Sequence, residues 1–493
     1  MTKKISIIGS GFAGLAAAAS CAQNGHDVTI FEKNHSIGGR ARQFSADGFT
    51  FDMGPSWYWM PEVFEKFYNR FGHTTSDFYQ LDRLSPSYRV YFGKDDFVDI
   101  PANLDQIYEL VESMEKGAAD QLRKFLKEAE IKYEIGMNDF VHKPGLSVME
   151  FVDLSLLKNV FRMHVFQSMS SYIRKYFKNP RLIQILEFPV IFLGAKPSKT
   201  PALYSLMNYA DWSLGTWYPQ GGMYKIIEAM ETICKEQGVT IETNANVQKI
   251  LTKGNRVSGI KINEKEIASD ILIGSADYHH VEQELLPKEF RNYDEKYWDS
   301  RQLSPSCMIF YVGVKKQVAH LLHHTLFFDT DFDKHLGEIY DTKEWPSNPL
   351  FYVCAPSKTD DSVAPEGYEN LFILIPVAVD LKDEESTREH YFNVVMERME
   401  HITGESIKEH VIYNRSYAHR DYKTDYNGYK GNAFGLANTL QQTAILKPSL
   451  KNKRLKNLFF AGQLTTPGPG VPPSLISGQV VAAQIEKEFG QKD

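Results

Sequence analysis

The chain has 493 residues, 43% hydrophobic and 24% charged, with 31 Phe, 26 Tyr and a net charge of −7. That length exceeds one hydrophobic core and excludes a small binding module, while the negative balance argues against nucleic acid as the main partner, which needs a positive field. Cys21, Cys234, Cys307 and Cys354 are scattered, so reduced buried thiols are expected, and no run reaches the roughly 18 apolar residues of a spanning helix. Lys3 and Lys4 before an apolar stretch imitate an export signal, but glycines interrupt the stretch and a second strand pattern follows it, so an export signal is not the reading.

Residues 4 to 8 (KISII) read as a buried parallel strand. Gly9, Gly11 and Gly14 follow in G-x-G-x-x-G spacing, with Phe12 and Ala13 inside the turn, and a small-residue helix is predicted from Leu15 to Asn24. The first glycine permits the tight turn, the second lets backbone approach a pyrophosphate, and the third lets helix pack closely on strand. Residues 27 to 31 (DVTIF) give a second strand ending at Glu32 and Lys33. A carboxylate at Glu32 suits ribose hydroxyls and repels a 2′-phosphate.

Gly38, Gly39, Arg40 and Arg42 come next, then Phe51, Asp52, Met53, Gly54, Pro55, Ser56 and Trp57. Here the chain resembles the two-dinucleotide-binding-domain flavoproteins. The resemblance implies FAD, with the segment at Gly39, Arg40 and Arg42 along the pyrophosphate and ribityl chain, and the one from Gly54 to Trp57 near the isoalloxazine ring. Residues 151 to 177 mix Leu154, Leu157, Val160, Phe161, Val165, Met169 and Tyr172 with Lys158, Arg162, Arg174 and Lys175. Apolar spacings of three and four make amphipathic helices with a basic face an expectation, as an interfacial anchor would need.

The mid-chain segments 219 to 226 (PQGGMYKI) and 239 to 250 (VTIETNANVQKI) resemble the superfamily's return into its flavin domain, where the residue matching Val247 contacts the adenine end. Residues 267 to 276 read as one strand that delivers Ser275, Ala276 and Asp277 near the cofactor. Strand-like runs at 307 to 314 and 370 to 379 predict a mixed sheet. The last return, residues 458 to 484, opens with a strand, turns at Gly462 and crosses a Pro/Gly cluster. It then enters a helix near Ser474, where Val471, Pro472 and Ser474 face the cofactor and backbone N–H groups meet a pyrophosphate or flavin carbonyl.

Through GFTFDMGPSWYWMP, PQGGMYKI and GQLTTPGPGVPPSLISG, the whole chain is similar to the bacterial and fungal carotenoid (phytoene) desaturases. The resemblance implies dehydrogenation of a C40 isoprenoid, phytoene towards lycopene, or in a later-pathway relative a 1-hydroxycarotenoid at its 3,4 position. Oxygen or a quinone would be the terminal acceptor. The expected fold class is α/β: a Rossmann-like FAD-binding domain from 1–75, 220–290 and 455–493, interleaved with a mixed-sheet substrate domain from 76–219 and 291–454. Residues 151–195 supply candidate membrane-associating helices, and the expected location is cytoplasmic, on the inner face of the cell membrane.

An apolar tunnel would draw on Trp57, Tyr58, Trp59, Phe188, Phe192, Trp212, Trp217, Phe434 and Leu436. Asp211, among aromatic residues, is the candidate general base, although an allylic cation needs no strong one. No metal is expected: His279/His280 and His323/His324 lack ligand company, and adjacent residues on a strand point apart. Two other classes share the fold. An amine oxidase would need a compact amine cage, and a non-enzymatic prenyl-binding protein of the Rab escort type would need no flavin.

Overall fold

The computed structural model describes residues 1–151, 164–191 and 194–490. Five strands build an all-parallel sheet in the spatial order Leu458–Phe460, Ile271–Gly274, Lys4–Ile8, Asp27–Phe31 and Thr240–Glu242. Ile5 to Ile8 and Ile271 to Gly274 are buried without alternation, because helices cover one face and residues such as Ile250, Val257 and Ile260 of an antiparallel sheet pack on the other. Helix Phe12–Gln23 runs between helices Tyr224–Glu236 and Val471–Phe489. Its Ala16, Ala17, Ala18 and Ala19 are fully buried, and a Cβ on Gly478 would lie 2.2 Å from Ala13 O, so small residues set that close approach. The helix starts at Phe12, earlier than predicted, because Gly11 already serves as its cap.

The stretch 267 to 276, expected as one strand, is parts of two. Lys265–Ala268 closes an antiparallel sheet with Val247–Lys253 and Arg256–Ile262, and Ile271–Gly274 enters the parallel sheet. Between them Ser269 Oγ donates to Ile271 O at 2.7 Å and Asn457 Nδ2 donates to Asp270 O at 2.6 Å, which holds the break.

A seven-stranded sheet runs Val411–Tyr417, Ser306–Val314, Glu369–Val377, Phe351–Cys354, His324–Phe327, Tyr88–Gly93 and Asp96–Ile100. Only the pair His324–Phe327 and Tyr88–Gly93 is parallel, so the sheet is mixed. Along Ser306–Val314 the two-residue period divides the side chains. Met308, Phe310 and Val312 pack with Val395, Met396 and Met399 of helix Glu385–Thr403, while Cys307, Ile309 and Tyr311 face the other way.

In the segment expected to hold membrane-associating helices, Phe166 is exposed, but the apolar side chains of the two described helices are buried. In Pro180–Ile191 the residues Leu182, Ile183, Ile185, Leu186, Phe188 and Val190 are buried in the substrate-side core, and in Met169–Ile173 so are Met169, Tyr172 and Ile173. Residues 152–163, with the richest part of the expected amphipathic pattern, and Phe192 lie outside the described residues. Among the described residues, no helix is long and apolar enough to cross a membrane.

Candidate active site

A single cleft of about 2360 Å³, its open mouth included, runs between the parallel sheet and the inner face of the mixed sheet. Its lining extends from the glycine turn to Trp57, Trp59 and Phe434. Of the residues expected at the cofactor, Gly9, Gly11, Phe12, Ala13, Glu32, Lys33, Gly39, Arg40, Gly54, Pro55, Ser56, Trp57, Val247, Ser275, Ala276, Gly462, Val471, Pro472 and Ser474 all line it.

The glycine turn shows three separate needs. Gly9 adopts φ +100°, and a Cβ there would lie 3.0 Å from Ala276 N. A Cβ on Gly14 would lie 2.1 Å from Gly9 O, so Gly14 serves packing and does not itself line the cleft. A Cβ on Gly11 would meet nothing within 4 Å: it would enter open cleft at a helix start with no capping side chain and no acidic residue in its first turn. That is a cradle for an anion.

Glu32 ends its strand buried, accepting from Ser10 N at 3.0 Å, Ser10 Oγ at 2.7 Å and Asn34 N at 2.9 Å. Lys33 Nζ donates to Thr424 O at 2.5 Å and to Asn427 Oδ1 at 3.1 Å, and burial pushes its pKa down. Arg40 Nη2 donates to Asn432 O at 3.2 Å, yet its Nε is buried without a partner. Ser275 Oγ is likewise buried and unpartnered. Arg42, expected along the cofactor, does not itself line the cleft but braces residues that do: its guanidinium pairs with Asp425 and lies 3.4 Å from Tyr426 Oη.

At the second helix start the expected array of N–H donors is thin. Pro472 and Pro473 have no N–H, and Ser474 N already donates to Gly470 O at 3.0 Å, so Val471 carries the one free donor of that turn. Gly462 N donates to Ser477 Oγ at 3.0 Å, which binds the turn after Leu458–Phe460 to the same helix.

The wall beside Glu32 and Lys33 also contains Asp425, Tyr426 and Asn427, to which no sequence motif points. They belong to helix His419–Tyr426 and the residue after it, and they meet the nucleotide strand through Lys33, Asn34 and Arg42. Cys307, Ile309, Tyr352 and Leu374 were missed in the same way and form the floor at the other end, where Trp57, Trp59 and Phe434 are the tunnel candidates that line the cleft.

Asp211 does not reach the cleft. It is buried behind Tyr88, accepting from Tyr88 Oη at 2.9 Å and Thr216 Oγ1 at 3.2 Å, and burial pushes its pKa up from 3.8 to about 7. Between those values the native state holds a proton that the unfolded chain has lost, so this group makes stability fall as pH rises from about 4 to about 7. Asp211→Asn is expected to keep turnover and to remove that slope, which is at most about 1.4 kcal/mol per pH unit. Denaturant midpoints of both proteins across this range check it, and a lost turnover would return Asp211 to the chemistry.

The paired histidines also differ from the expectation. His323 lies just outside strand His324–Phe327, so the two rings do not diverge: their centroids are 4.5 Å apart. A ring nitrogen of each and Cys354 Sγ lie within 4.8 Å of one another; hydroxyls of Thr359 and Tyr352 lie 2.6 Å from the two Nδ1 atoms, and both Nε2 atoms are buried without a partner.

Residues 12–486 match the flavin-containing amine oxidoreductase family. The chain is 40% identical to a carotenoid 3,4-desaturase of Haloarcula japonica over 98% of both chains. It is 32% identical to a zeta-carotene-forming phytoene desaturase of Myxococcus xanthus over 98% of this chain and 94% of that one. The chain belongs to this flavin-containing family, among its carotenoid desaturases. The solved structure of a putrescine oxidase bound to putrescine shares the fold, with a TM-score of 0.63 over 99% of both chains, at 12% identity. This desaturase-family chain is thus an FAD-dependent oxidoreductase. The open space at Gly11, the uncapped helix start and the unpartnered Ser275 Oγ and Arg40 Nε are what FAD requires of it.

Proposed function

We propose that the enzyme dehydrogenates a C40 carotenoid near the end of its chain, at the 3,4 position. The observation that carries carotenoid dehydrogenation is the division of the cleft. Among the described residues, every charged residue that lines it, Glu32, Lys33, Arg40, Asp277 and Asp425, is placed with the dinucleotide motifs and their clasp. The other end is walled by Trp57, Trp59, Pro189, Met207, Ile309, Leu374 and Phe434. A long hydrocarbon fits that wall, whereas an ammonium substrate would find no carboxylate there. The 3,4 position is favoured by the 40% identity to the Haloarcula enzyme against 32% to the phytoene desaturase. Phytoene dehydrogenation, supported by the second of these, is the alternative reading.

FAD, when bound, supplies the acceptor for the hydride, and oxygen or a quinone takes the electrons onward. The protein's own part is to hold the reacting carbon against the flavin and to keep water out. We assign the glycine turn and Glu32 to the pyrophosphate and ribose, Gly54 to Trp57 to the isoalloxazine end, and segments 1–75, 220–290 and 455–493 to the flavin-binding unit. No charged base is needed, since a proton beside an allylic cation is acidic enough to leave to a weak, uncharged acceptor. Expression in cells that accumulate phytoene, and in parallel in cells that accumulate hydroxylated acyclic carotenoids, tests the reading. A pigment with one more conjugated double bond is expected in the second; conversion of phytoene alone would move the assignment to the alternative.

Such a substrate is held in lipid, and the exposed apolar residues suggest where the enzyme meets it. Leu146, Met149, Leu440, Ile445 and Leu446 are exposed, and the loops that carry them touch: a Cβ on Gly145 would lie 3.7 Å from Ala444 O. We place the lipid contact on this patch. Met149→Ser with Leu446→Ser is expected to weaken flotation with anionic vesicles by about hundredfold or more, as loss of two buried apolar side chains at about 1.5 kcal/mol or more each implies, and to leave turnover of detergent-dispersed substrate intact. Unchanged flotation would move the contact elsewhere.

A further inference from the structure

Three side chains of the kind that ligate metals meet just behind the cleft wall, and carotenoid dehydrogenation makes no use of them. Cys354 stands directly opposite His324 in the antiparallel pair Phe351–Cys354 and His324–Phe327, so both side chains fall on one face of the sheet. His323, one residue before that strand, brings its ring to the same place, which completes the triad within 4.8 Å. All three residues are buried, and the thiol is free. Trp57, which lines the cleft, stacks on the His324 ring with centroids 4.0 Å apart and planes 12° from parallel.

The hydrogen bonds around the two rings fix where their lone pairs lie. Tyr352 Oη donates its one proton to Ser56 Oγ at 3.0 Å, so His324 Nδ1, 2.6 Å from that phenol oxygen, is the N–H that donates to it. Thr359 Oγ1 likewise spends its proton on Pro356 O at 3.3 Å, and His323 Nδ1 donates to it at 2.6 Å. Each Nε2 therefore carries a bare lone pair, and both are buried without a partner. A histidine that only packs in a core satisfies both nitrogens, whereas a ligating imidazole has one nitrogen held by an outer hydrogen bond and the other open to a metal.

The ligand set decides the cation. Donor atoms about 2.0–2.3 Å from a shared metal stand about 3.5–4 Å apart, so closing the triad takes about 1 Å of side-chain movement. Imidazole and thiolate together select zinc or cuprous ion over the harder cations. Among the described residues no carboxylate belongs to the cluster. Asp52 and Asp360, whose charges reach Cys354 and His323, already accept from Met223 N at 2.6 Å and Gly221 N at 2.7 Å. One thiolate is thus the whole negative charge of the ligand set. It neutralises a monovalent ion and leaves a divalent one with a buried excess charge, which is costly.

We propose that His323, His324 and Cys354 form a site for one cuprous ion, bound by two imidazole nitrogens and a thiolate. Cys354 gives its proton to the buffer on binding, and no electron is exchanged. The site goes beyond the desaturase reading and does not depend on it. Thr359 and Tyr352 are positioning residues that hold the rings.

The test titrates the FAD-loaded enzyme with cuprous ion, without oxygen, against the chelator bathocuproine disulfonate, and records X-ray absorption at the copper edge. One ion per flavin is expected to be withheld from the chelator, with a shell of two nitrogens and one sulfur. Cys354→Ala should weaken retention by more than about hundredfold, and Thr359→Val, which removes only an outer hydrogen bond, by about tenfold. Cys234→Ala, a buried thiol of another core, is the control expected to retain the ion. If the unmodified enzyme withholds no ion, or Cys354→Ala holds it as firmly, the copper is an adventitious ion only and the proposal is overturned. Zinc that displaces the cuprous ion at equal concentration overturns it as well. The absorption shell needs no variant, so a shell without sulfur overturns the site even where Cys354→Ala fails to fold.

Discussion

Gly11→Val yields a protein that folds and purifies colourless. A side chain at this position would clash with nothing in the protein, because no atom lies within 4 Å of its first carbon, and the backbone at φ −72° suits any residue. What it would occupy is the space beside the uncapped helix start, where the pyrophosphate of a dinucleotide has to approach. A steric conflict of about 2.7 kcal/mol lowers affinity about hundredfold. The absorbance ratio of flavin to protein should fall accordingly, while the unfolding temperature of the flavin-free protein stays where it was. Gly14→Ala should do the reverse in origin: its added carbon would stand 2.1 Å from Gly9 O, and the flavin-free protein should itself lose about 1–3 kcal/mol. Full flavin content in Gly11→Val would place the cofactor elsewhere.

Gly478→Val is expected to be among the most damaging single substitutions in the chain. Its Cβ would lie 2.2 Å from Ala13 O and 2.8 Å from Ala17 N, backbone atoms of a helix that is itself wedged between neighbours. Neither can retreat without moving the turn that carries Gly9 and Gly11. Overpacking of this kind costs about 3 kcal/mol, and here flavin content should drop together with stability, unlike in Gly11→Val. Denaturant midpoints with and without FAD measure both. Gly337→Ala, where no atom lies within 4 Å, is the control expected to be neutral.

The contrast between these glycines shows what was legible in the sequence. The fingerprint could be read because each of its tasks is local: a turn, a close approach, a helix start, all within the span from Lys4 to Glu32. The mixed sheet was visible for the same reason in the apolar run that became Ser306–Val314. The clasp at Asp425 and Asn427 was not, because it joins residues nearly 400 positions apart and its helix has no ligand-type motif. Asp211 misled because aromatic neighbours mark a core as readily as a cleft, and its partners Tyr88 and Thr216 lie far off in sequence or behind a turn. The histidine pair misled because alternation applies inside a strand, and His323 stops one residue short of it.

The parallel sheet receives its last strand at Leu458–Phe460, and Lys33, Asn34 and Arg42 find their partners only between Thr424 and Asn427. A growing polypeptide therefore exposes its nucleotide turn for most of its synthesis with neither the neighbouring strand nor the clasp in place. Domains otherwise tend to fold as the ribosome delivers them, at about 5–20 residues per second. Here the strand and the clasp that wall the turn are both in place only once Phe460 has been made. A product truncated before Leu458 would be apoprotein, however intact its first forty residues.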